Sequence, residues 1–569
     1  MHIKQWKTYP VNLPLQAELA EALSVSPILA HILVNRGLST VVEAKAFLLP
    51  SMQAIHADHD SIPGLLKAAE IVAATIRENK KILVYGDYDV DGITGTTLLV
   101  AVINSLGGQA SYYIPHRFED GYGLNKRSIK KAADQGVGLM ITIDCGISNV
   151  EEVRYANECG MPVIITDHHT PPASLPDALA IVNPKLGNAS SFYYHLAGVG
   201  VAFKLAEVLL ETIGHPDKTE LNNYLDLVAL GTIADIVPLL GANRILAAIG
   251  IQVLNEGKRI GIKMLNKISN FEEAISAKSI AFTLGPRLNA AGRMDYASVA
   301  VNLLLTEEEG EALQLATKLN DINEQRRKIG ELIKEDAINI LENEKRVDQQ
   351  KVIVLKEQNW HPGIIGIVAS QLAKKYSKPT ALIAINNGMG RGSIRSIGGI
   401  DIYAPLLACQ DLLVDFGGHR EAAGFEINEE SIAAFQRRFE ENLSLSVKPE
   451  ELTPSIHVDA DLDASSISPQ LLEELDQLSP YGQGNPSPLF STGQLSAVDH
   501  KLVGNGLHIK MTLTDRRRVF EAIGFNLSHC QPLIKSGPVD VAYHLEMNDW
   551  NGRRSLQLNI VDIKEPSPH

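Results

Sequence analysis

Residues 81–92 read Lys-Ile-Leu-Val-Tyr-Gly-Asp-Tyr-Asp-Val-Asp-Gly. The apolar run Ile82–Tyr85 before Gly86 predicts a short buried strand, and three carboxylates, Asp87, Asp89 and Asp91, follow it at alternate positions. Carboxylates so close together repel one another unless cations bind them. Their spacing also matches the first half of an EF-hand calcium loop. That loop needs a bidentate Glu at its twelfth position, which here is Leu98, and it leaves a helix rather than a strand. The calcium loop is excluded. From Thr97 the run Thr-Leu-Leu-Val-Ala-Val-Ile-Asn-Ser-Leu-Gly-Gly predicts a helix with a glycine stop. Strand, acidic loop, helix is the order of an α/β active-site edge.

Two more apolar runs end in reactive residues. Gly138–Ile143 delivers Asp144, and Pro162–Thr166 delivers Asp167-His168-His169. Ligands in open α/β sheets collect at the carboxyl ends of strands, so the three groups are expected to converge. A fourth contribution comes from Leu225–Asp235, an apolar helix carrying Asp226 and Asp235. Nine residues are two and a half turns, so only one of the two carboxylates can face the site. Each piece alone has an ordinary structural explanation, an Asp capping the next helix or a His beside a loop. Their recurrence at three successive strand ends favours metal. Carboxylates with a minority of imidazole suit Mn²⁺ first and Mg²⁺ second. The ligands suffice for two ions about 3.5–4 Å apart with Asp144 between them, the arrangement used for in-line displacement at phosphorus.

At 569 residues the chain is too long for a single core, and its 45% hydrophobic content suffices for several. The net charge of −15 excludes a protein that binds nucleic acid by bulk basicity, though not one with a local basic groove. Cys145, Cys159, Cys409 and Cys530 show no paired spacing, so neither a disulfide framework nor a thiolate zinc site is expected. No apolar run reaches membrane-span length and the first residues lack a signal-peptide stretch, which predicts a cytoplasmic protein.

The layout expected from pattern is a helical lead-in over 1–45, a parallel-sheet α/β domain over 46–265, and a helical region with a connecting helix over 266–346. A second, smaller α/β domain over 347–450 and a β-barrel over 455–569 complete it. The barrel reading rests on alternating runs such as Leu507–Leu513 and Leu556–Val561 and on turns such as Asn551-Gly552.

Asp87-Tyr-Asp-Val-Asp-Gly92, Asp144-Cys-Gly146, Asp167-His-His169 and Gly231-Thr-Ile-Ala-Asp-Ile-Val-Pro238 together resemble the four signatures of the DHH phosphoesterases. Within that superfamily the chain is similar to the RecJ single-strand-specific 5′-to-3′ exonucleases. Further matching segments are Gly285-Pro-Arg-Leu-Asn-Ala-Ala-Gly-Arg293, Asn359-Trp-His-Pro-Gly363, Gly417-Gly-His-Arg-Glu-Ala-Ala-Gly424 and Leu478-Ser-Pro-Tyr-Gly-Gln-Gly-Asn-Pro486. The resemblance implies a DHH domain and a DHHA1 domain joined by a long helix, with an OB-fold at the end. It implies Asp87, Asp89 and Asp144 on one Mn²⁺ and Asp91, Asp144, His168 and Asp235 on the other. His169 would stabilise charge on the scissile phosphate or protonate the leaving oxygen, with a structural partnership to Asp167 as its alternative.

In the DHHA1-like segment, Arg391, Ser393, Arg395, Ser396, His419 and Arg420 alternate with glycines and would bind phosphate; tight packing is the alternative role of those glycines. Arg287, Asn289 and Arg293 would line the path of the strand. Arg326, Arg327 and Lys328 would join that path or form a solvated helix face. In the barrel, Lys510, Arg516–Arg518 and Arg553-Arg554 are the local basic groups. The implied activity is hydrolysis of single-stranded DNA to 5′-mononucleotides in recombination and repair, by a monomer working with single-strand-binding protein and a helicase. The rival readings are a DHH phosphodiesterase for short oligonucleotides or cyclic dinucleotides, and a replication scaffold without catalysis.

Overall fold

The strand predicted before the acidic cluster forms over Lys81–Gly86 (β1). The computed structural model to which it belongs describes residues 4–56, 61–121, 123–271, 273–344, 350–448, 453–550 and 553–566. Helix α1 follows over Val90–Ser105, then β2 (Gln109–Tyr113), β3 (Val137–Ile143), β4 (Val163–Thr166) and β5 (Ala180–Val182). These five strands make one sheet in the order β2-β1-β3-β4-β5, with every neighbour pair parallel. The chain enters at β1, steps outward to β2 and then returns to the other side of β1, which makes the β1/β3 boundary the topological switch point.

Alternation along the strands separates two cores. Ile82, Val84, Leu139, Ile141 and Ile164 face one, packed with α1 and with α2 (Gly198–Ile213). Leu83, Tyr85, Met140, Val163 and Ile165 face the other. A strand buried on both faces needs an unbroken apolar run, which is what residues 82–85 supply. Full burial of each aliphatic side chain contributes about 1.5–3 kcal/mol, so a charged residue at Val84 would break the sheet at its centre.

Two apolar helices continue the first core, α3 (Leu225–Ala234) and α4 (Gly241–Asn255), followed by α5 (Gly285–Met294). The helical region breaks at Thr306, where helix Ser298–Leu305 ends, and α6 runs from Glu309 to Glu344. The chain divides into two units, Thr8–Asn320 with His457–His569, and Asp321–Ile456 with the first seven residues.

In the second unit β6 (Ile353–Gln358), α7 (Ile365–Tyr376), β7 (Thr380–Asn386), β8 (Met389–Arg395), β9 (Asp415–Gly418) and β10 (Ala422–Asn428) build a mixed sheet of order β9-β10-β8-β7-β6. The glycine-rich stretches expected to bind phosphate are largely strand. A Cβ on Gly392 would stand 2.1 Å from the Phe425 ring, so this glycine serves packing.

The C-terminal strands β11 (Phe490–Val503), β12 (His508–Thr514), β13 (Val519–Gly524), β14 (Val539–Trp550) and β15 (Arg553–Lys564) form a sheet that β11–β14 pairing closes into a barrel. The turn Asn551-Gly552 lies outside the described residues. Helices Leu13–Leu23, Pro27–Asn35 and Val41–Leu48 are no separate lead-in. Leu19, Leu29 and Leu33 share one core with Phe490, Leu513 and Tyr543, and Arg36 pairs with Asp459 at 2.8 Å beneath the surface. Among the described residues no single helix is long and apolar enough to cross a membrane.

Candidate metal centre

The parallel ladder runs one residue beyond the strands. The Asp87 N–H donates to the Ile143 carbonyl (3.1 Å), that of Asp144 to Thr166 (3.0 Å) and that of Asp167 to Val182 (3.1 Å). Asp87, Asp144 and Asp167 consequently stand in a row along the carboxyl edge of the sheet, at the switch point. Asp144 has φ +60°, a left-handed conformation that costs a non-glycine residue about 1–2 kcal/mol and is typical of strained functional positions.

Helix α1 begins at Val90, not near Thr97, because Asp89 caps it. Asp89 Oδ1 accepts from the N–H groups of Asp91 (3.0 Å) and Gly92 (3.2 Å). Asp91 in the first turn is held by the N-terminus of α2, with the Gly198 N–H on Oδ2 (2.6 Å) and the Val199 N–H on Oδ1 (2.8 Å). Close approach requires glycine at two places. A Cβ on Gly198 would lie 2.8 Å from Asp144 Cβ, and one on Gly231 of α3 would lie 3.0 Å from Asp91 Oδ1.

The seven sequence-predicted metal and acid–base residues come together. Asp87, Asp89 and Asp144 form one set of ligand atoms within 4.8 Å of one another, and Asp91, His168 and Asp235 form another; Asp144, His168 and His169 make a third. His168 Nε2 lies 3.0 Å from Asp144 Oδ1, 3.6 Å from Asp235 Oδ2 and 3.8 Å from Asp91 Oδ2. The two helical aspartates separate cleanly. Asp235, at the C-cap of α3, belongs to the centre, whereas Asp226 accepts from Arg259 Nε (2.6 Å) and Nη2 (3.1 Å).

Burial pushes Asp87, Asp89, Asp91 and Asp144 above the usual carboxylate range, and the neighbouring carboxylates push them further in the same direction. Asp87 Oδ1, Asp144 Oδ1 and Asp235 Oδ2 are buried with no hydrogen-bond partner among the described residues. Orphaned acceptors converging on one point are what cations of the hard, oxygen-preferring kind satisfy, so the donor set fits Mn²⁺ or Mg²⁺. Burial, helped by the charges of His169 and Lys185 and opposed by those of Asp235 and Asp167, lowers the His168 imidazole to about 4, which favours the neutral ring that a metal ligand must be. His169 differs. Burial pulls it down, but the hydrogen bond and charge of Asp167 outweigh this and bring it to about 9. Asp167 Oδ1 accepts from His169 Nδ1 (2.8 Å) and from the backbone N–H groups of His168 (2.7 Å) and His169 (3.0 Å), so it holds the histidine pair.

The predicted substrate residues already have protein partners. Asn289 on α5 accepts the Val90 N–H (3.1 Å) and so braces the acidic loop, while Arg287 donates to Asn320 (3.1 Å) and to the Thr283 carbonyl (2.8 Å). Arg293 sits on the same helix and its charge reaches Tyr88. In the second unit Arg391, Ser393 and Arg395 alternate on one face of β8. Arg391 pairs with Glu426 (2.8 Å), and Arg395 donates to Ser393 Oγ (2.9 Å). Ser396 bonds the Ile400 carbonyl (2.5 Å) and Arg420 the Gly399 carbonyl (2.9 Å); His419 adjoins β9. Arg327 pairs with Glu324 on the exposed face of α6.

Sequence reasoning missed several contributors. Arg117 lies 5.0 Å from the Tyr88 ring, with its charge opposing the upward shift of Asp87. Asn183, next along the sheet edge after Val182, donates to the His169 carbonyl (2.9 Å). The segment Ala197-Gly-Val-Gly200 could have been found, since glycines opening an apolar helix mark a close approach.

Comparison with known proteins extends the same picture. The DHH family N-terminal domain model matches residues 81–232, the DHHA1 domain model 349–445 and the RecJ OB domain model 458–562. The single-stranded-DNA-specific exonuclease RecJ of Bacillus subtilis is 37% identical over 550 residues, 96% of this chain and 69% of that protein. The chain belongs to the RecJ family. A crystal structure of RecJ in complex with Mn²⁺ from Thermus thermophilus agrees with a TM-score of 0.85 at 32% identity, covering 99% of this chain and 80% of that one. A second structure of the Thermus protein, with Mg²⁺, gives 0.78 at 30% identity over 99% and 79%. The RecJ fold expected from sequence, two α/β domains with a long helix and a terminal barrel, is the fold observed. The DHH match ends before Asp235, so that residue's place in the centre rests on geometry.

Proposed function

We infer that the protein is a metal-dependent exonuclease that degrades single-stranded DNA in the 5′-to-3′ direction to 5′-mononucleotides, acting in recombination and repair in the cytoplasm. The observation that carries this reading is the chain of three ligand clusters at the switch point of a parallel sheet, two of them sharing Asp144 and two sharing His168. Asp87, Asp89 and Asp144 would hold one cation, and Asp91, Asp144, His168 and Asp235 the other, Mn²⁺ or Mg²⁺ in each case. Bound as a pair, such cations offset the charge developing on a phosphate and acidify water.

The chain's own residues do the rest. Asp89, capping α1, and Asp91, held by the start of α2, keep fixed positions without reorganisation. Asp167 takes Nδ1 of His169, which leaves Nε2 as the atom that would donate to the scissile phosphate or to the leaving oxygen. Arg287, Asn289 and Arg293, together with Arg391, Ser393, Arg395, Ser396, His419 and Arg420, would contact the strand through its phosphates. The domain limits proposed are those read from the sequence, with the N-terminal helices grouped with the barrel. A single copy would work with single-strand-binding protein and a helicase.

Incubating the protein and Mn²⁺ with single strands labelled at either end tests the reading. Mononucleotides released first from the 5′ end are expected; release from the 3′ end, or cleavage of dinucleotides alone, would overturn it.

A further inference from the structure

Asn243 and Arg244 are adjacent at the start of α4, and each is 1% exposed. Arg244 lays its guanidinium 3.6 Å from the centroid of the Phe47 ring. It donates to four backbone carbonyls: Phe47 (2.7 Å), Leu478 (2.8 Å), Gln477 (3.0 Å) and Ser479 (3.1 Å). Two of these acceptors, Leu478 and Ser479, open the segment Leu478–Pro486, and Gln477 immediately precedes it; to that stretch, singled out in the sequence, the chemistry of the centre gives no role. The remainder of that segment seats on the residues before α4. The Leu239 N–H donates to the Gln483 carbonyl (2.7 Å), and a Cβ on Gly482 would stand 2.6 Å from Leu239 Cδ1. Asn485 closes the loop on itself by donating to Leu478 (2.7 Å) and Pro480 (3.0 Å).

Asn243 faces the other way. Its Nδ2 donates to the carbonyls of His195 and Pro238, the latter at 3.1 Å, and its Oδ1 accepts the Ala197 N–H (3.3 Å). Ala197 immediately precedes the Gly198 and Val199 N–H groups that grip Asp91. Pro238 and Leu239 belong to the short connection from Asp235 to α4. One amide side chain thus fixes both the backbone segment that leads into the N–H groups gripping Asp91 and the one that follows Asp235. The neighbouring guanidinium fixes the helix carrying that amide to the loop ahead of the barrel.

We propose that Asn243 and Arg244 form a positioning brace through which the seating of loop 477–485 sets the affinity of the cation held by Asp91, His168 and Asp235. Asp144 is common to both cations, whereas Asp87 and Asp89, the ligands that belong to the other cation alone, hang from a strand end and the α1 cap, to which neither Asn243 nor Arg244 is bonded. The proposal rests on the two-cation reading of the centre. Neither residue is catalytic; both act through the backbone that carries the ligands.

The test is Mn²⁺ titration of the full chain, followed by calorimetry and by the electron paramagnetic resonance of free and bound Mn²⁺, for wild type, Asn243→Ser, Gly482→Ala, Arg244→Lys and Asp235→Asn. Gly482 is exposed, so its substitution presses on Leu239 without opening the core. Asn243→Ser and Gly482→Ala are expected to weaken the second Mn²⁺ at least tenfold while the first changes less than twofold. Arg244→Lys, which keeps a donor for the carbonyls, is expected to fall between them and wild type. A second Mn²⁺ bound within twofold of wild type in Asn243→Ser and Gly482→Ala overturns the brace, as does equal weakening of both ions. Asp235→Asn separates the two failures. If it abolishes the second ion while the brace variants do not weaken it, the brace alone is wrong; if it leaves both ions in place, the reading of the centre falls and the brace with it.

Discussion

Replacing Asp144 by Asn is the sharpest probe of the shared centre. Asn has the same shape and tolerates the +60° φ found here, so the backbone should keep its path. The change removes one charge from a buried cluster whose members all raise one another, so the metal-free variant should melt no lower than wild type. Cation binding behaves oppositely. A site occupied at about 100 times its Kd adds about 2.7 kcal/mol, so two sites add about 5 kcal/mol. The unit that holds the centre has roughly 430 residues, and at about 2.1 cal/mol/K per residue its unfolding entropy turns that gain into a rise of about 6 °C in Tm. Since Asp144 serves both sets, Asp144→Asn should lose nearly all of the rise. Losing about 4 kcal/mol of charge stabilisation in the transition state corresponds to a rate at least about 10³-fold lower. Differential scanning fluorimetry with and without Mn²⁺, alongside a single-strand degradation assay, reads both effects. A variant that keeps the full Mn²⁺-induced rise would refute the claim that the two sets meet at this carboxylate.

Other substitutions divide along the same lines. Asp226→Asn should leave Mn²⁺ binding unchanged but destabilise the fold by about 3 kcal/mol in urea melts, because it strands the Arg259 guanidinium; Asp235→Asn should do the reverse. His169→Ala should lower kcat by about 10²–10⁴-fold while Mn²⁺ affinity stays within a few-fold, and comparable losses in both would assign it to the ligands. Trp360→Phe removes the indole N–H bond to Asp336 (2.8 Å) and should cost the second unit about 1 kcal/mol, measured by urea-dependent proteolysis. The metal-free protein should also lose stability as pH rises. Aspartates raised in the folded state contribute stability that is fully present below about pH 4 and fades above it, and His169, raised to about 9, adds a contribution lost as pH passes 9. His168, lowered to about 4, opposes this by destabilising the fold at acid pH. Saturating Mn²⁺ should remove the part of the fall in Tm above about pH 4 that the aspartates cause while leaving the loss that His169 brings as pH passes 9; a fall unaltered by Mn²⁺ would contradict the repulsion argument.

How legible each part was depends on whether neighbours in sequence or neighbours in space decide it. The strands β1, β3 and β4 were readable because burial on both faces demands an unbroken apolar run, and the residues after them were readable because strand ends share one edge. The start of α1 was not, since the carboxylates that cap it look like a loop until Asp89 is seen accepting N–H groups from its own first turn. The glycines opening α2 mark a close approach, but that the group approached is Asp91 escapes any local pattern because more than a hundred residues intervene. The N-terminal helices read as an independent lead-in because amphipathicity tells that a face is buried but not against what; here it is the barrel. The glycines near 390 suggested a phosphate loop, whereas the Phe425 ring explains Gly392.

The bland and the functional readings of Asp89 and Asp91 turn out to be one mechanism. A helix N-terminus carries partial positive charge and favours carboxylates over cations, so a cation site beside two of them looks contrary at first. Yet burial and mutual repulsion raise all four carboxyls, so each holds a proton more readily than a free aspartate, and a protonated carboxyl is a poor ligand that must expel its proton to bind. The N–H groups of α1 on Asp89, and those of α2 on Asp91, lower those two carboxyls against the upward push of burial and of their neighbours. They occupy Asp91 from one side, one N–H per oxygen, and leave the remaining lone pairs to converge with His168 and Asp235. The helix ends thus favour the anionic form of these two ligands and fix their orientation, and the cluster's summed negative charge, larger than the dipoles' partial charges, is what attracts cations.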